Sequence, residues 1–393
     1  MSSSSINPKP PPEVSIPESG ETCALSIIDT TCSLTVPAST LVEPAIPGHE
    51  LMNFPTVAFL IRHEPSGRQL LFDLGCRQDF WNLPAPIAKT INEKVPGIKV
   101  DKGLDTILSE GGTDMEKLEA AIVSHHHYDH MGNPATFPPT MNLVVGPGFS
   151  EAFLPGYPTA EASPAFEDAF AGRTVRELTF DEGLTVAGYH AVDYFSDGSL
   201  YVLDTPGHAV GHLSALVRTT GDTFIFLGAD ICHFGGSFRP TRYVPMPSGL
   251  SSDDLGRSET PSLRYDASVF TRLHWLPDMG RVSPFYQPCS RADSWYVDPQ
   301  RARESIRKLM ALDADERVLV LIAHDPAVMK VLPFYPEYVM NGWYEAGWKQ
   351  KLRWGFLDEF PVEGKTREYL VDGTYVNGKL IKTLSGEMPP AAG

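Results

Sequence analysis

The segment SHHHYDH, residues 124–130, is the most informative part of this sequence. It directly follows AAIV, whose length and composition predict a β-strand. A strand that runs into a loop can direct alternate side chains, His125 and His127, toward one point, while Asp129 and His130 turn toward a second. Imidazole and carboxylate groups are ligands that zinc prefers, and a catalytic zinc keeps one position for water. The pattern H-x-H-x-D-H therefore predicts a metal centre, against the alternative of a His-rich loop that binds metal adventitiously.

Three later segments place polar residues where apolar runs end. They are TPGH, which ends at His208, GAD, which ends at Asp230, and AHD, which contains His324. Because each follows a predicted strand, we expect these side chains to lie along one edge of the sheets.

The order of these residues resembles the metallo-β-lactamase superfamily over roughly residues 50–330. The resemblance implies an α/β (α+β) fold, an αββα sandwich, and two Zn²⁺ ions. It implies that His125, His127 and His208 hold one ion. The second would be held by Asp129, His130 and His324, with Asp230 bridging the two ions.

Further polar residues are expected to support this centre. Asp73 matches an Asp that buttresses the metal loop in the superfamily, although it could instead cap backbone N–H groups in a turn. His212 is expected to pack or to support a ligand, and His126 to be structural. The remaining histidines carry no motif and are expected to be ordinary: His49, His63, His190 and His274.

The full set of seven ligands favours zinc and hydrolysis over iron and redox chemistry. Two divalent ions lower the pKa of a shared water enough to make hydroxide available near neutral pH. Asp129 would lie next to that water in the superfamily and is the expected proton carrier. No Ser or Cys nucleophile is needed, so Cys232 is expected to be a packing residue.

The segment TPGHAVGHLS, residues 205–214, resembles the N-acyl homoserine lactone lactonases, and the chain is also similar to fungal γ-lactamases that open benzoxazolinone. The resemblance implies an enzyme that opens a small cyclic ester or amide, as in xenobiotic detoxification. The alternative is a thioester hydrolase of the glyoxalase II or acyl-carrier-protein thioesterase type. A glutathione thioesterase needs a basic cluster, for which the candidates are Lys349, Lys351, Arg353 and Lys365. A metal-binding protein without catalytic activity is a further alternative.

His233 departs from the lactonase pattern, in which a Tyr at this position polarises the substrate carbonyl. An imidazole could donate a hydrogen bond to a developing oxyanion, so His233 is a second predicted catalytic residue beside Asp129. The alternative is a loop histidine without a role.

The spacing from Asp230 to His324 is 94 positions (324 − 230), which predicts a long insertion at about residues 233–297. The insertion is expected to form either a lid over a flat apolar ring or a packing or homodimer surface. Its aromatic residues are Phe238, Tyr243, Trp275, Phe285, Tyr286 and Trp295. A C-terminal extension at about 334–393 holds Trp343, Trp348 and Trp354.

Composition describes an ordinary globular protein, with 42% hydrophobic and 21% charged residues among 393. A net charge of −17 argues against nucleic-acid and membrane partners and favours a small-molecule substrate. Residues 1–20 are rich in Ser and Pro, have no signal-peptide pattern and are predicted to be a disordered tail, followed by one domain over 21–393. The odd number of five scattered cysteines fits a reducing compartment, so a cytoplasmic location is expected.

Periodicity predicts nine strands and three helices. The helices are predicted at about 78–93, 114–120 and 298–312, the last with Asp298 as N-cap. The strands are predicted at 56–63, 69–75, 120–125, 142–146, 174–180, 199–205, 212–220, 222–230 and 317–325.

Overall fold

Two large β-sheets face each other in the computed structural model, which describes residues 6–180, 183–257, 263–362 and 366–388. Apolar side chains of both sheets, such as Ile27 and Phe59 from one and Val202 and Ile225 from the other, form one buried cluster between them. Two further clusters cover the outer faces, where helices pack. This confirms the α/β sandwich with helices outside the stacked sheets that the sequence predicts.

The strands have the following bounds in chain order: β1 (Cys23–Pro37), β2 (Val42–Glu43), β3 (Leu51–His63), β4 (Gln69–Phe72), β5 (Gly97–Val100), β6 (Leu118–Ile122), β7 (Asn142–Val145), β8 (Val175–Glu177), β9 (Thr185–Val186), β10 (Tyr189–Asp193), β11 (Leu200–Asp204), β12 (Leu213–Arg218), β13 (Phe224–Leu227), β14 (Gly249–Ser251), β15 (Arg264–Asp266), β16 (Gln287–Pro288), β17 (Val318–Leu321), β18 (Gly373–Val376) and β19 (Lys379–Thr383). The α-helices are α1 (Ala85–Lys94), α2 (Leu104–Glu110), α3 (Tyr128–Met131), α4 (Phe149–Phe153), α5 (Ser268–Thr271), α6 (Pro299–Ala314), α7 (Val328–Val331) and α8 (Trp348–Leu352).

The first sheet has the order β19-β18-β5-β1-β3-β4-β6-β7-β8, and the second has the order β17-β13-β12-β11-β10-β9. Within the first sheet β4, β6, β7 and β8 run parallel, and β13 and β17 run parallel in the second. Parallel strands end at the same edge of a sheet, so the loops after β4 and β6 meet there, as do those after β13 and β17. The loop after β6 and helix α3 carry four predicted ligands, the loops after β13 and β17 carry Asp230 and His324, and His208 follows β11.

Helix α6 confirms the clearest helix prediction. One carboxylate oxygen of Asp298, the N-cap, accepts hydrogen bonds from the backbone N–H groups of Gln300 and Arg301 at 3.1 and 3.0 Å. Ile306 and Leu309 are buried in the cluster on the outer face of the second sheet.

Two helix predictions need correction. Residues 114–120 form a short 3₁₀ turn (Met115–Lys117) and then enter β6 at Leu118, because the apolar run that follows is buried in the sheet. Residues 78–93 form a 3₁₀ turn (Phe80–Asn82) and then α1, separated at Leu83-Pro84, since proline restricts the backbone of the residue before it.

Strand β1 has no counterpart in the sequence prediction. It pairs along most of its length with β3, with an irregularity between Asp29 and Ser33 where Thr31 has φ of 56°. Its Ser and Thr residues interrupt the apolar pattern, so only the pairing with β3 reveals its length.

The predicted disordered tail is partly ordered. Val14 is buried in the cluster on the outer face of the second sheet. The carbonyl of Ser15 accepts a hydrogen bond from the backbone N–H of Ala187 at 2.8 Å, and the carbonyl of Pro17 accepts one from Arg218. The prediction of disorder is therefore wrong for residues 14–17, and residues 1–5 lie outside the described ranges.

The insertion and the C-terminal extension pack on the body of the protein. Phe285 from the insertion contacts Phe356 and Phe360 from the extension in a buried aromatic cluster. The extension also adds β18 to the first sheet beside β5. None of the helices in the described ranges has the length and apolar character that a membrane span requires.

Candidate metal centre

All seven predicted ligands lie together at the edge where the strands of both sheets end. His125 and His127 follow β6, and α3 carries Asp129 and His130. The remaining three follow β11, β13 and β17, respectively: His208, Asp230 and His324. They form two neighbouring groups, and within each group the candidate ligand atoms lie within 4.8 Å of one another.

Three imidazoles form the first group. His125 Nε2 lies 2.9 Å from His127 Nδ1, and His208 Nε2 lies 3.2 Å from the former and 3.0 Å from the latter. Three ring nitrogens thus point at one place.

The second group contains one carboxylate and two imidazoles. Asp129 Oδ2 lies 3.9 Å from His130 Nε2 and 3.6 Å from His324 Nε2. All three side chains are buried.

Asp230 lies between the two groups, with one carboxylate oxygen toward each. Its Oδ1 is 3.2 Å from His130 Nε2 and 3.1 Å from His324 Nε2. Its Oδ2 is 3.3 Å from His208 Nε2 and 3.6 Å from His125 Nε2. This is the arrangement expected of a carboxylate that bridges two ions.

The donor set fits divalent ions. Four ligands at the Zn–N distance of about 2.0–2.1 Å stand roughly 3.3 Å apart in a tetrahedron, close to the separations in the first group. His130 Nε2 and Asp230 Oδ1 are buried and make no hydrogen bond to any described residue. Buried polar atoms normally have a partner, and a metal ion would provide one for both.

The electrostatics of the first group and of Asp230 also suit a cation. Burial lowers the pKa of His125, His127 and His208, which keeps these rings neutral and their nitrogen lone pairs available. Burial alone would raise the pKa of Asp230, but the neighbouring His130 and His324 outweigh it and hold the pKa well below its usual range. Asp230 therefore stays ionised and presents negative charge to both groups.

Asp73 combines the two roles considered for it. Its Oδ1 accepts a hydrogen bond from the backbone N–H of Ser124 at 2.7 Å, and its Oδ2 lies 2.9 Å from the Ser124 hydroxyl and 2.8 Å from His130 Nδ1. Because the carboxylate can only accept, His130 carries its proton on Nδ1 in this contact, which leaves Nε2 free to face the centre.

We expect Asp73→Asn to weaken zinc binding at the second group by about 10–100-fold, the usual effect of losing a partner of a ligating histidine. Asn tolerates the backbone of this position, where φ is 63°, so the fold should be kept. Competition with a chromophoric chelator measures the affinity. Asp193→Asn is the matched control, because Asp193 accepts backbone hydrogen bonds in a turn far from the centre. Equal affinities for the two variants would contradict this role.

His212 holds the backbone of Asp230. Its Nδ1 lies 2.9 Å from the hydroxyl and 3.0 Å from the carbonyl of Thr205, and its Nε2 accepts the backbone N–H of Asp230 at 3.1 Å. His126 turns away from the centre and stacks on Phe153 at 4.3 Å. Both placements agree with the roles expected from the sequence.

His233 lies in the pocket wall, but its contacts differ from the predicted role. Its Nδ1 is 2.9 Å from the Tyr296 hydroxyl, and its Nε2 is 3.2 Å from Asp230 Oδ2. Both ring nitrogens thus have protein partners, and this arrangement offers no free N–H to a substrate oxyanion. Sequence analysis missed Tyr296, whose only signal was its place beside Trp295 in the aromatic insertion.

A small pocket opens onto the centre. Its apolar wall consists of Leu34, Val36, Leu41, Phe54, Val95 and Trp295. Of the six aromatic residues predicted as lid candidates, Trp295 lines this pocket, whereas Phe285 is buried in the core and Trp275 is 57% exposed. The lid prediction therefore needs correction for these two residues.

The basic cluster considered for a glutathione thioesterase does not reach the pocket. None of the described residues that line the pocket is Lys or Arg. Lys349 is buried and donates to the carbonyls of Asp315 and Val318, and Arg353 pairs with Glu316 at 2.9 Å. Lys365 lies outside the described residues. Cys232 is buried, and burial raises the pKa of its thiol, as suits a packing residue.

Comparisons with known proteins agree with this geometry. The family model described as the metallo-beta-lactamase superfamily matches residues 52–228. Gamma-lactamase FDB1 of Fusarium pseudograminearum is 40% identical over 89% of this chain and 85% of its own length. Metallo-hydrolase mfmC of Annulohypoxylon moriforme is 38% identical over 90% of this chain and 91% of its own length.

A solved structure of an N-acyl homoserine lactone hydrolase shares the fold. It covers 81% of this chain and 99% of its own chain with a TM-score of 0.51 and 18% identity.

Proposed function

The chain belongs to the metallo-β-lactamase superfamily and is a metal-dependent hydrolase of the lactamase and lactonase type, and we propose that it uses two zinc ions to open a small cyclic ester or amide. The proposed substrate is a lactone, a γ-lactam or a cyclic carbamate such as benzoxazolinone, and detoxification is the proposed role. The observation that carries the proposal is the position of Asp230, which directs one oxygen to each ligand group.

Each ion has its own ligands on this chain. We assign His125, His127 and His208 to the first ion and Asp129, His130 and His324 to the second, with Asp230 shared. When bound, two such ions supply hydroxide near neutral pH and polarise a carbonyl.

The reaction adds water across the bond between the carbonyl carbon and the ring oxygen or nitrogen. The water oxygen bonds to the carbonyl carbon, the ring bond breaks, and one proton ends on the leaving oxygen or nitrogen. We assign the transfer of that proton to Asp129, whose carboxylate borders the pocket.

The lining of the pocket favours a substrate with a small, uncharged ring. An apolar wall stabilises apolar ligand surface, and none of its described lining residues is Lys or Arg. The relative named as a γ-lactamase supports the same class. With the net charge of −17 and five free cysteines, we also propose a cytoplasmic enzyme without a nucleic-acid or membrane partner.

A hydrolysis screen of the zinc-loaded protein tests the proposal. The panel contains γ-lactones, benzoxazolinone-like lactams, β-lactams that carry a carboxylate, and glutathione thioesters. We expect ring opening of neutral lactones or lactams, together with two zinc ions per chain by elemental analysis. Hydrolysis restricted to thioesters, or a single iron with activity that requires oxygen, would overturn the proposal.

Trp295 is expected to bind the substrate ring. Its indole meets the ring of His127 edge-on at 5.3 Å and lies under Lys94 Nζ at 5.1 Å, at the pocket wall. We expect Trp295→Ala to raise KM about tenfold with little change in kcat, because an apolar wall contacts substrate and transition state alike. Steady-state kinetics on the best cyclic substrate measures both constants.

Trp275→Ala is the control for this prediction, because Trp275 is exposed and does not line the pocket. Metal content is measured for both variants, because Trp295 contacts His127, which is a proposed metal ligand. An unchanged KM for Trp295→Ala with full metal content would place the substrate elsewhere.

A further inference from the structure

Tyr296 is a buried residue of the insertion that packs against side chains of the candidate metal centre. Its ring packs edge-on against the rings of His208 and His233, with centroids 5.3 and 5.1 Å away. Its hydroxyl lies 2.9 Å from His233 Nδ1, and the other nitrogen of that histidine lies 3.2 Å from Asp230 Oδ2. Three side chains thus form one line from the insertion to the bridging carboxylate.

Chemistry sets the direction of the hydrogen bonds along this line. An ionised carboxylate can only accept, so the contact with Asp230 requires a proton on His233 Nε2. The neutral ring then has a lone pair on Nδ1, and the Tyr296 hydroxyl is the donor to it. Burial raises the pKa of this phenol well above its usual value, so the hydroxyl keeps that proton at neutral pH.

We propose that Tyr296 is a positioning residue that, through His233, holds the Asp230 carboxylate in its bridging orientation. Asp230 Oδ2 faces the first ligand group, where the rings of His208 and His125 stand 3.3 and 3.6 Å away. A carboxylate oxygen can accept one N–H and still use its remaining lone pair for an ion. The His233 N–H therefore fixes the rotation of the carboxylate without removing it from the ligand set.

His233 is well placed for such a role because its ring cannot turn freely. It is stacked on Phe54 at 5.9 Å with an interplanar angle of 5°, and it is 2% exposed. As a donor to Nδ1, the Tyr296 hydroxyl acts together with Asp230 to keep the proton of this fixed ring on Nε2. This inference uses the proposed function in one respect, since it treats Asp230 as the ligand shared by both ions.

The test compares two tyrosines in the zinc-loaded protein. Tyr296→Phe removes the hydroxyl and keeps the ring that packs on His208. Tyr286→Phe is the matched control, because the Tyr286 hydroxyl is also buried and lies 2.7 Å from a histidine Nδ1, that of His49, in the core away from the centre. Both variants lose the same kind of hydrogen bond.

Two measurements that need no substrate are taken. ¹⁵N NMR of histidine-labelled protein, with the His233 signals identified by their loss in His233→Phe, is expected to show the Nε2–H tautomer in wild type and a mixture in Tyr296→Phe. Chelator competition is expected to show zinc binding about 10–100-fold weaker in Tyr296→Phe and unchanged in Tyr286→Phe.

A double-variant cycle separates positioning from packing. In the His233→Phe background, Tyr296→Phe should cause no further loss of zinc affinity, because the path to Asp230 is already broken. An equal loss in both backgrounds, or an unchanged tautomer and affinity in Tyr296→Phe, would overturn the proposal. His233→Gln is a second test, because the glutamine amide can donate to Asp230 without a hydrogen bond from Tyr296. The zinc affinity of His233→Gln should therefore stay near that of wild type and should not change when Tyr296→Phe is added.

The outcome is independent of the proposed reaction. If tautomer and affinity change as expected while no cyclic ester or amide is opened, the proposed function is wrong and the positioning role stands. If the wild type opens such rings and Tyr296→Phe changes neither tautomer nor affinity, the positioning role alone is wrong.

Discussion

Asp230→Ala is expected to lose zinc from both ligand groups and to lower kcat/KM on the best cyclic substrate by more than about 10³-fold. Its two oxygens face different groups, so its removal takes one ligand from each. Without the ions, the pKa of water returns far above neutral pH, so little hydroxide is present. Elemental analysis after gel filtration and steady-state kinetics measure the two effects.

His324→Ala provides the contrast to this variant. His324 Nε2 lies near Asp129 and the Oδ1 atom of Asp230, so its loss should empty mainly the second group and leave about one zinc ion per chain. His190→Ala should retain both ions, because His190 is an exposed residue of β10. The same metal content in Asp230→Ala, His324→Ala and wild type would show that the ligand assignment is wrong.

The sequence predicted where the candidate ligands lie in the fold, because their identity and their place in the chain both carry information. His125, His208, Asp230 and His324 each follow a short apolar run, and short apolar runs end at sheet edges in this fold. Parallel pairing then brings the ends of β13 and β17 together. Helix α6 lies between these two strands in the chain, and this order of elements is typical of parallel pairing.

Elements that depend on distant partners could not be predicted in this way. Strand β1 mixes Ser and Thr with apolar residues, and its register is set by β3. Residues 14–17 lie in a segment rich in Ser and Pro, yet Val14 is buried on the outer face of the second sheet. In both cases tertiary contacts outweigh local preference.

The insertion shows a second limit of prediction from sequence, which concerns the direction of side chains rather than the type of secondary structure. Aromatic composition predicts burial or binding but not which way a ring points. Thus Phe285 enters the core, Trp275 faces solvent and Trp295 faces the pocket. Likewise the spacing from Asp230 placed His233 at the centre, but the partner of its Nδ1, Tyr296, stands 63 positions further along the chain.

Asp129→Asn is expected to lower kcat on a γ-lactam by about 10²–10⁴-fold, the usual contribution of a general acid–base group. Asn has the same shape, and its amide oxygen can still face His130 and His324, from which Asp129 Oδ2 now stands 3.9 and 3.6 Å away. It cannot take up a proton from water and return it to the leaving nitrogen. Zinc content and KM should therefore change much less than kcat.

The leaving group decides whether proton transfer is the cause. An amine must be protonated as it leaves, whereas an acidic phenol leaves readily as its anion, so an aryl lactone should lose much less kcat than the lactam in Asp129→Asn. Asp105→Asn, in the first turn of α2 and outside the pocket that opens onto the centre, is the control and should leave both substrates unaffected. An equal loss for lactam and aryl lactone, with zinc retained, would mean that Asp129 acts on the attack of water and not on the departure of the leaving group. If kcat on both substrates falls only in proportion to the zinc content of Asp129→Asn, Asp129 acts as a metal ligand and not as a proton carrier.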